Sequence, residues 1–198
     1  MRNSAAQNLA PNWALFLSGR GSTARAVLDC LSHVSVGLVV SSRATALGLR
    51  RAQWAGVPTL VFERSGDWQQ LHQALLARRI NRIFLLGFMR ILSADFVQHW
   101  EGRIFNVHPS LLPQFPGAHA IQESYRSGAQ MGVTIHRVTA EMDAGPRLLQ
   151  KVLPVGGKRG SVPVSERDAS EVPLDVSLQI AQLEQRLIRH LVERSVVR

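Results

Sequence analysis

Two polar side chains two residues apart, Asn106 and His108, stand at the end of an apolar run, Ile104–Val107. Residues i and i+2 of a strand share a face, so an amide donor would lie beside an imidazole. Such a pair can polarise a carbonyl oxygen and move a proton near neutral pH. The segment continues Pro109-Ser110-Leu111-Leu112-Pro113, and its two prolines fix an irregular loop against the strand end. A second candidate is Ser18-Gly19-Arg20-Gly21-Ser22-Thr23, between the first apolar run and a helix. Its glycines allow close backbone approach, and a helix N-terminus offers free amides, so a phosphate fits there. Ser22 or Thr23 could instead simply cap the helix. With Ala24 the run also fits a loose dinucleotide fingerprint. Ser41-Ser42-Arg43 stands where an acidic residue should close the second strand, which disfavours a nicotinamide cofactor. A third candidate is Glu141-Met142-Asp143-Ala144-Gly145-Pro146, where turn chemistry accounts for the Asp, Gly and Pro. Asp143 gains a role only if the fold brings it to His108, where it would hold an imidazolium and fix its tautomer. Chain spacing does not show that. His119 and His136 read as structural or supporting residues.

Each cluster follows an apolar run, and the runs alternate with helical patterns. Strands are expected at Trp13–Ser18, Val34–Val40, Thr59–Phe62, Arg82–Leu86, Ile104–Val107, Val133–Val138 and Leu148–Val152. Several are continuously apolar, as strands buried on both faces should be. Helices are expected at Thr23–Leu31, Ala44–Ala55, Trp68–Arg78, Ser93–Trp100 and Ala120–Ser127. This alternation predicts an α/β, Rossmann-like single domain: a mostly parallel sheet of about seven strands with helices on both faces. Ligands in such sheets sit outside the carboxyl ends of the strands. Residues 1–12 read as a disordered lead-in without the apolar stretch of a signal peptide, and 13–198 as the domain. Residues 156–173, rich in Gly, Ser, Pro and charge, read as a loop excursion. A final helix is expected over 175–193, with a stripe of Val176, Ile180, Leu183, Leu187, Ile188 and Leu191. Glu184 falls in the middle of that stripe. A charge there is costly unless it meets a partner or a ligand; snorkelling at the helix edge or pairing with a core Arg are the plainer alternatives.

The bulk figures narrow the function classes. A length of 198 residues and 45% hydrophobic content fit one globular domain, and no apolar run reaches the length of a membrane span. The single cysteine, Cys30, can form no intrachain disulfide and has no His at metal spacing. A reducing, cytoplasmic setting and the absence of a bound metal are expected. The formal charge of +9 suits an anionic ligand. Its arginines are scattered, without basic–aromatic interleaving, so nucleic acid is not the expected partner.

The run Asn106-Val107-His108-Pro109-Ser110-Leu111-Leu112-Pro113, followed by Phe115-Pro116-Gly117, resembles the signature of the glycinamide ribonucleotide formyltransferases. Gly87-Phe88-Met89-Arg90-Ile91-Leu92-Ser93, Gly132-Val133-Thr134-Ile135-His136 and Asp143-Ala144-Gly145-Pro146 extend the likeness in order. It covers about Trp13 to Val155 and the last helix. The resemblance implies formyl transfer from formyl-tetrahydrofolate, as co-substrate, to the amine of glycinamide ribonucleotide in purine synthesis. It implies a catalytic trio of Asn106, His108 and Asp143. The donor would be contacted by Met89, Arg90, Ile91 and Leu92, by Ala140 and Glu141 in the turn opposite, and by Arg64. The acceptor would be held by Gly19, Arg20, Gly21, Ser22 and Thr23, by Pro109 and by Glu184. Small-molecule partners and a monomer or homodimer follow. Arg20 and Thr23 depart from the pattern, standing where the family's loop carries Asn. The 156–173 excursion is longer than the family's loop, and the helix after the first strand is shorter. A related formyl-folate enzyme acting on another amine, or on water as a deformylase, is the alternative. The hydrolases usually carry a further N-terminal domain and the initiator-tRNA sibling a further C-terminal one, and neither is expected here. A non-catalytic phosphate- or nucleic-acid-binding module is the reading from another class.

Overall fold

In β1 (Asn12–Leu17) the buried side chains divide strictly by parity. Trp13, Leu15 and Leu17 enter one core, while Ala14 and Phe16 enter another. Successive Cβ atoms of a strand point to opposite faces, so an unbroken apolar strand needs a layer on each side. The computed structural model supplies both, and it describes residues 11–32, 34–154 and 172–195. On one face lie α1 (Ser22–Leu28), α2 (Leu47–Trp54), α5 (Ala120–Ser127) and α6 (Leu174–Ser195), with Val27, Leu49 and Ile180 in their core. On the other lie α3 (Trp68–Ala77) and α4 (Ala94–His99), with Leu71, Leu75, Phe96 and Val97. Fully buried side chains such as Phe16, Phe84 and Ile135 each contribute roughly 1.5–3 kcal/mol of apolar transfer.

The remaining strands are β2 (Ser35–Ser41), β3 (Thr59–Val61), β4 (Arg82–Leu85), β5 (Ile104–His108), β6 (Gly132–Arg137) and β7 (Arg147–Val152). They form one seven-stranded sheet in the order β3-β2-β1-β4-β5-β6-β7. Pairing is parallel from β3 through β5, and antiparallel for β5 with β6 and for β6 with β7. Strand order reverses between β1 and β4, and the loops leaving them therefore flank a crevice at the carboxyl edge. The loops bearing Gly19 and Met89 are these two.

All twelve internal elements appear where expected, with ends trimmed, extended or shifted by a few residues. The helix expected over Thr23–Leu31 stops at Leu28, because Asp29 and Cys30 donate back to Arg25 and Val27 and turn the chain toward β2. The helix expected from Ala44 begins at Leu47, because Ala46 is extended and its N–H closes a turn onto Arg43. Asn12 is not part of a lead-in. It opens β1 opposite Ser35, and its N–H donates to Asn81 Oδ1 at 2.9 Å. Residues 1–10 of the lead-in and nearly all of the 156–173 excursion lie outside the described residues. No helix among the described residues is long and apolar enough to cross a membrane.

Candidate active site

β5 carries Asn106 and His108 on one face of the sheet edge, and both reach the same carboxylate. Asn106 Nδ2 donates to Asp143 Oδ1 at 3.3 Å, and His108 Nδ1 lies 3.4 Å from Asp143 Oδ2. The turn that delivers Asp143 is built for close approach. Asp143 itself has φ 52°, a left-handed conformation that Asp tolerates better than most residues. Gly145 follows, where a Cβ would stand 1.9 Å from the Arg137 carbonyl oxygen, so only glycine lets the turn fold back over β6.

Four donors surround the Asp143 carboxylate. Besides Asn106 and His108, the Gly117 N–H donates to Oδ2 at 2.8 Å, and His136 Nε2 lies 3.4 Å from Oδ1. Burial pushes the Asp143 carboxyl up; the His136 and Gly117 hydrogen bonds and the charges of His108 and His136 outweigh that and hold it at about 2. His108 is buried, and its Nε2 lies 2.8 Å from the Phe115 carbonyl oxygen. Both of its ring nitrogens thus face acceptor oxygens. His136 arrives because β6 runs antiparallel to β5 and pairs it opposite Asn106. Its Nδ1 meets the Arg137 carbonyl at 2.9 Å, and its Nε2 lies 3.2 Å from Asn106 Nδ2. The sequence reads it as a structural or supporting residue, and the structure places it in contact with Asp143 and Asn106. Register between strands was the missing signal.

The loop after His108 is anchored from below. It holds a cis peptide at Leu112-Pro113. The Leu112 carbonyl accepts from Arg147 Nη1 and Gln150 Nε2, and the Leu112 N–H donates to buried Thr134. This positions Phe115 and Gly117 against His108 and Asp143. Pro109 is partly buried at the strand end.

The crevice loops are joined by one hydroxyl. Ser18 Oγ accepts from the Met89 N–H at 2.8 Å and lies 2.6 Å from Ser42 Oγ. In the first loop Gly21 has φ 64°, and a Cβ there would stand 2.7 Å from the Gly48 Cα, so packing alone requires this glycine. Gly19 faces open space, and Arg20 and Ser22 are exposed. Neither Ser22 nor Thr23 caps α1, since Gly21 is the N-cap and no side chain serves it. The Thr23 hydroxyl instead donates to Glu184 Oε2 at 2.9 Å. Glu184 remains partly exposed, and among the described residues it pairs with no Arg; the Thr23 hydroxyl is its partner in the apolar stripe. Burial pushes its carboxyl up to about 7, against the opposing pull of the Thr23 hydrogen bond.

In the second loop Met89 and Ile91 are 68% and 82% exposed, and Met142 is 61% exposed. Leu92 is partly buried. The Arg90 guanidinium turns away, donating to the carbonyls of Phe62, Glu63 and Arg64 and stacking 4.4 Å from the Phe62 ring centre. It clamps this loop to the β3–α3 connection. Arg64, Ala140 and Glu141 are exposed and make no hydrogen bond or ion pair with the trio. A separate cleft of about 520 Å³ between β3 and α3, lined by Phe62, Glu63, Asp67 and Gln70, includes none of the trio.

Known proteins resemble this chain in sequence and in fold. The formyl transferase family model matches residues 12–171. The chain is 39% identical over 155 residues to the phosphoribosylglycinamide formyltransferase of Escherichia coli K12, covering 73% of each chain. It is also 39% identical over 155 residues to the trifunctional purine biosynthetic protein adenosine-3 of Drosophila melanogaster, but covers only 12% of that much longer protein. The glycinamide ribonucleotide transformylase 1 structure from Geobacillus kaustophilus superposes with a TM-score of 0.82 at 31% identity, covering 95% of this chain and all of that one. With a match running from the first strand past the seventh, and relatives this similar, the chain belongs to the formyl transferase family.

Proposed function

We propose that this chain transfers a formyl group from formyl-tetrahydrofolate to the amine of glycinamide ribonucleotide, a step of purine synthesis, as a cytoplasmic monomer or homodimer. The observation that carries the reading is the Asp143 carboxylate held between Asn106 and His108 at the sheet's carboxyl edge. The acceptor amine attacks the formyl carbon and forms a tetrahedral intermediate, whose oxyanion needs donors. The Asn106 amide and His108 Nε2–H supply them; the latter donates to the Phe115 carbonyl here, and the oxyanion would take its place. A carboxylate held at about 2 is a poor base near neutrality. Asp143 therefore acts as a fixed negative charge supporting the imidazolium, and the amine proton leaves through water to the folate nitrogen as its bond to the formyl carbon breaks. The pterin would lie against Met89, Arg90, Ile91 and Leu92, with Ala140 and Glu141 opposite, and Arg64 near the tail. The Arg90 side chain is engaged elsewhere, so its contribution there would come from the backbone. The acceptor would lie along Gly19, Arg20, Gly21 and Ser22, past Pro109, to Glu184.

A panel of amines incubated with formyl-tetrahydrofolate tests this. Turnover is expected with glycinamide ribonucleotide, and a folate analogue should raise the melting temperature. Folate consumed at the same rate without any amine would mean that water is the acceptor. No thermal shift with a saturating analogue would sink the folate assignment.

A further inference from the structure

Glu184 sits in the seam between α1 and α6, with Ile180, Leu183, Leu187 and Ile188 of its own helix in the core around it. Thr23, the second residue of α1, is buried and lies 161 residues away in the chain. Among the described residues, no cation lies within ion-pair distance of Glu184. Two guanidiniums of the same helices, those of Arg25 and Arg189, turn to Asp29 instead.

A threonine hydroxyl carries one proton. At Thr23 it is committed to Glu184, so this side chain has no donor left for a phosphate, and its lone pairs would repel a dianion. We infer that the Thr23 side chain is a positioning group for the acceptor rather than a phosphate ligand: its hydroxyl fixes Glu184 Oε2 so that Oε1 faces the acceptor. The inference rests on the proposed contact of Glu184 with the acceptor. Two features suit Thr23 to the task. A β-branched side chain in a helix has few χ1 choices, so the hydroxyl is stiffly placed. The terminal torsion of a glutamate is broad, and one oxygen held by a stiff donor narrows it. A carboxylate with a free torsion would still reach the acceptor, but would lose orientation on every binding event.

A kinetic cycle on Thr23→Val, Glu184→Ala and the double variant separates positioning from direct contact. Thr23→Val should raise KM for glycinamide ribonucleotide about tenfold, as loss of a hydrogen bond to a charged group would. The turnover number and the donor KM should not move, and Thr23→Ser should restore the wild-type value. In the Glu184→Ala background, Thr23→Val should add nothing, since no carboxylate is left to position. Effects that multiply in the double variant would overturn the inference, because Thr23 would then touch the acceptor itself. So would an unchanged KM in Thr23→Val. Where Thr23→Val fails to fold, as its melting curve would reveal, Thr23→Ala completes the same cycle. Wild-type protein that cannot formylate glycinamide ribonucleotide at all would remove the proposed function, and this inference with it.

Discussion

Asp143 and Glu184 carry the same carboxyl group, one methylene apart, and the fold places them in opposite surroundings. Asp143 is met by the Gly117 N–H, the Asn106 amide and two imidazoles. Glu184 is met by one hydroxyl in an apolar seam. Burial pushes both carboxyls up. At Asp143 the converging donors reverse that push and leave it at about 2, while at Glu184 the lone hydroxyl does not, and it stays at about 7. Burial and the donors aimed at a carboxylate together decide its charge, and the two sites differ in that balance. One region holds a permanent anion beside an imidazole, the other a group that exchanges its proton near neutrality.

The largest expected effects belong to the Asp143 region. Replacing Asn106 or His108 by Ala should lower turnover by on the order of a hundredfold or more, because each removes a donor to the developing oxyanion. Asp143→Asn should be severely impaired, since a neutral amide no longer supports the imidazolium. Folate binding, read by thermal shift, should change little in all three. Near-normal turnover in His108→Ala would erase the contrast between the two regions. A smaller effect is expected at the acceptor end, where Arg20 is exposed beside Gly19. Arg20→Ala should raise KM for glycinamide ribonucleotide roughly tenfold through one lost charge-assisted contact, leaving the donor constant alone. Unchanged constants would make Arg20 a bystander. Improved turnover would mark it as an obstacle and the acceptor as wrongly chosen.

The two regions also differ in how far the sequence revealed them. The spacing of Asn106 and His108 predicts a shared face, and the structure has it, because the period of a strand is local information. The alternating strand and helix pattern predicts the layers for the same reason. The meeting of Asp143 with His108 depends on a turn over β6, and that of His136 with Asn106 on antiparallel register. Neither is encoded within a few residues of chain. The resemblance named Asp143, but not the cage around it. Glu184 was visible as a charge in the wrong place on a helix, while its partner Thr23, in a loop that looked like a phosphate cradle, was not. The clamp of Arg90 on the β3–α3 connection was hidden for the same reason: its three carbonyl acceptors are backbone groups, which no pattern of side-chain types reports.

The smallest expected effect, and the most direct on the contrast itself, is a pair of stability profiles with opposite slopes. Asp143 is lowered from an ordinary 3.8 to about 2, so it adds stability above pH 3.8 that is lost as pH falls toward 2. Glu184 is raised from an ordinary 4.5 to about 7. Its contribution is fully present below pH 4.5, where the carboxyl is neutral in both folded and unfolded chains. It is lost as pH rises through 7, because the folded chain must then hold a charge in the seam. Glu184→Gln keeps the shape and removes the titration. Its melting temperature should match the wild type at pH 4.5 and exceed it at pH 8 by a few degrees, at roughly 2–4 °C per kcal/mol for a chain of this size. Asp143→Asn should melt below the wild type at pH 7, with the gap closing as pH falls below 4. Every other group is common to wild type and Glu184→Gln, so the difference between them leaves the Glu184 signal. A Glu184→Gln gap that stays constant from pH 4.5 to 8 would mean that the carboxyl is well solvated and the seam indifferent to its charge.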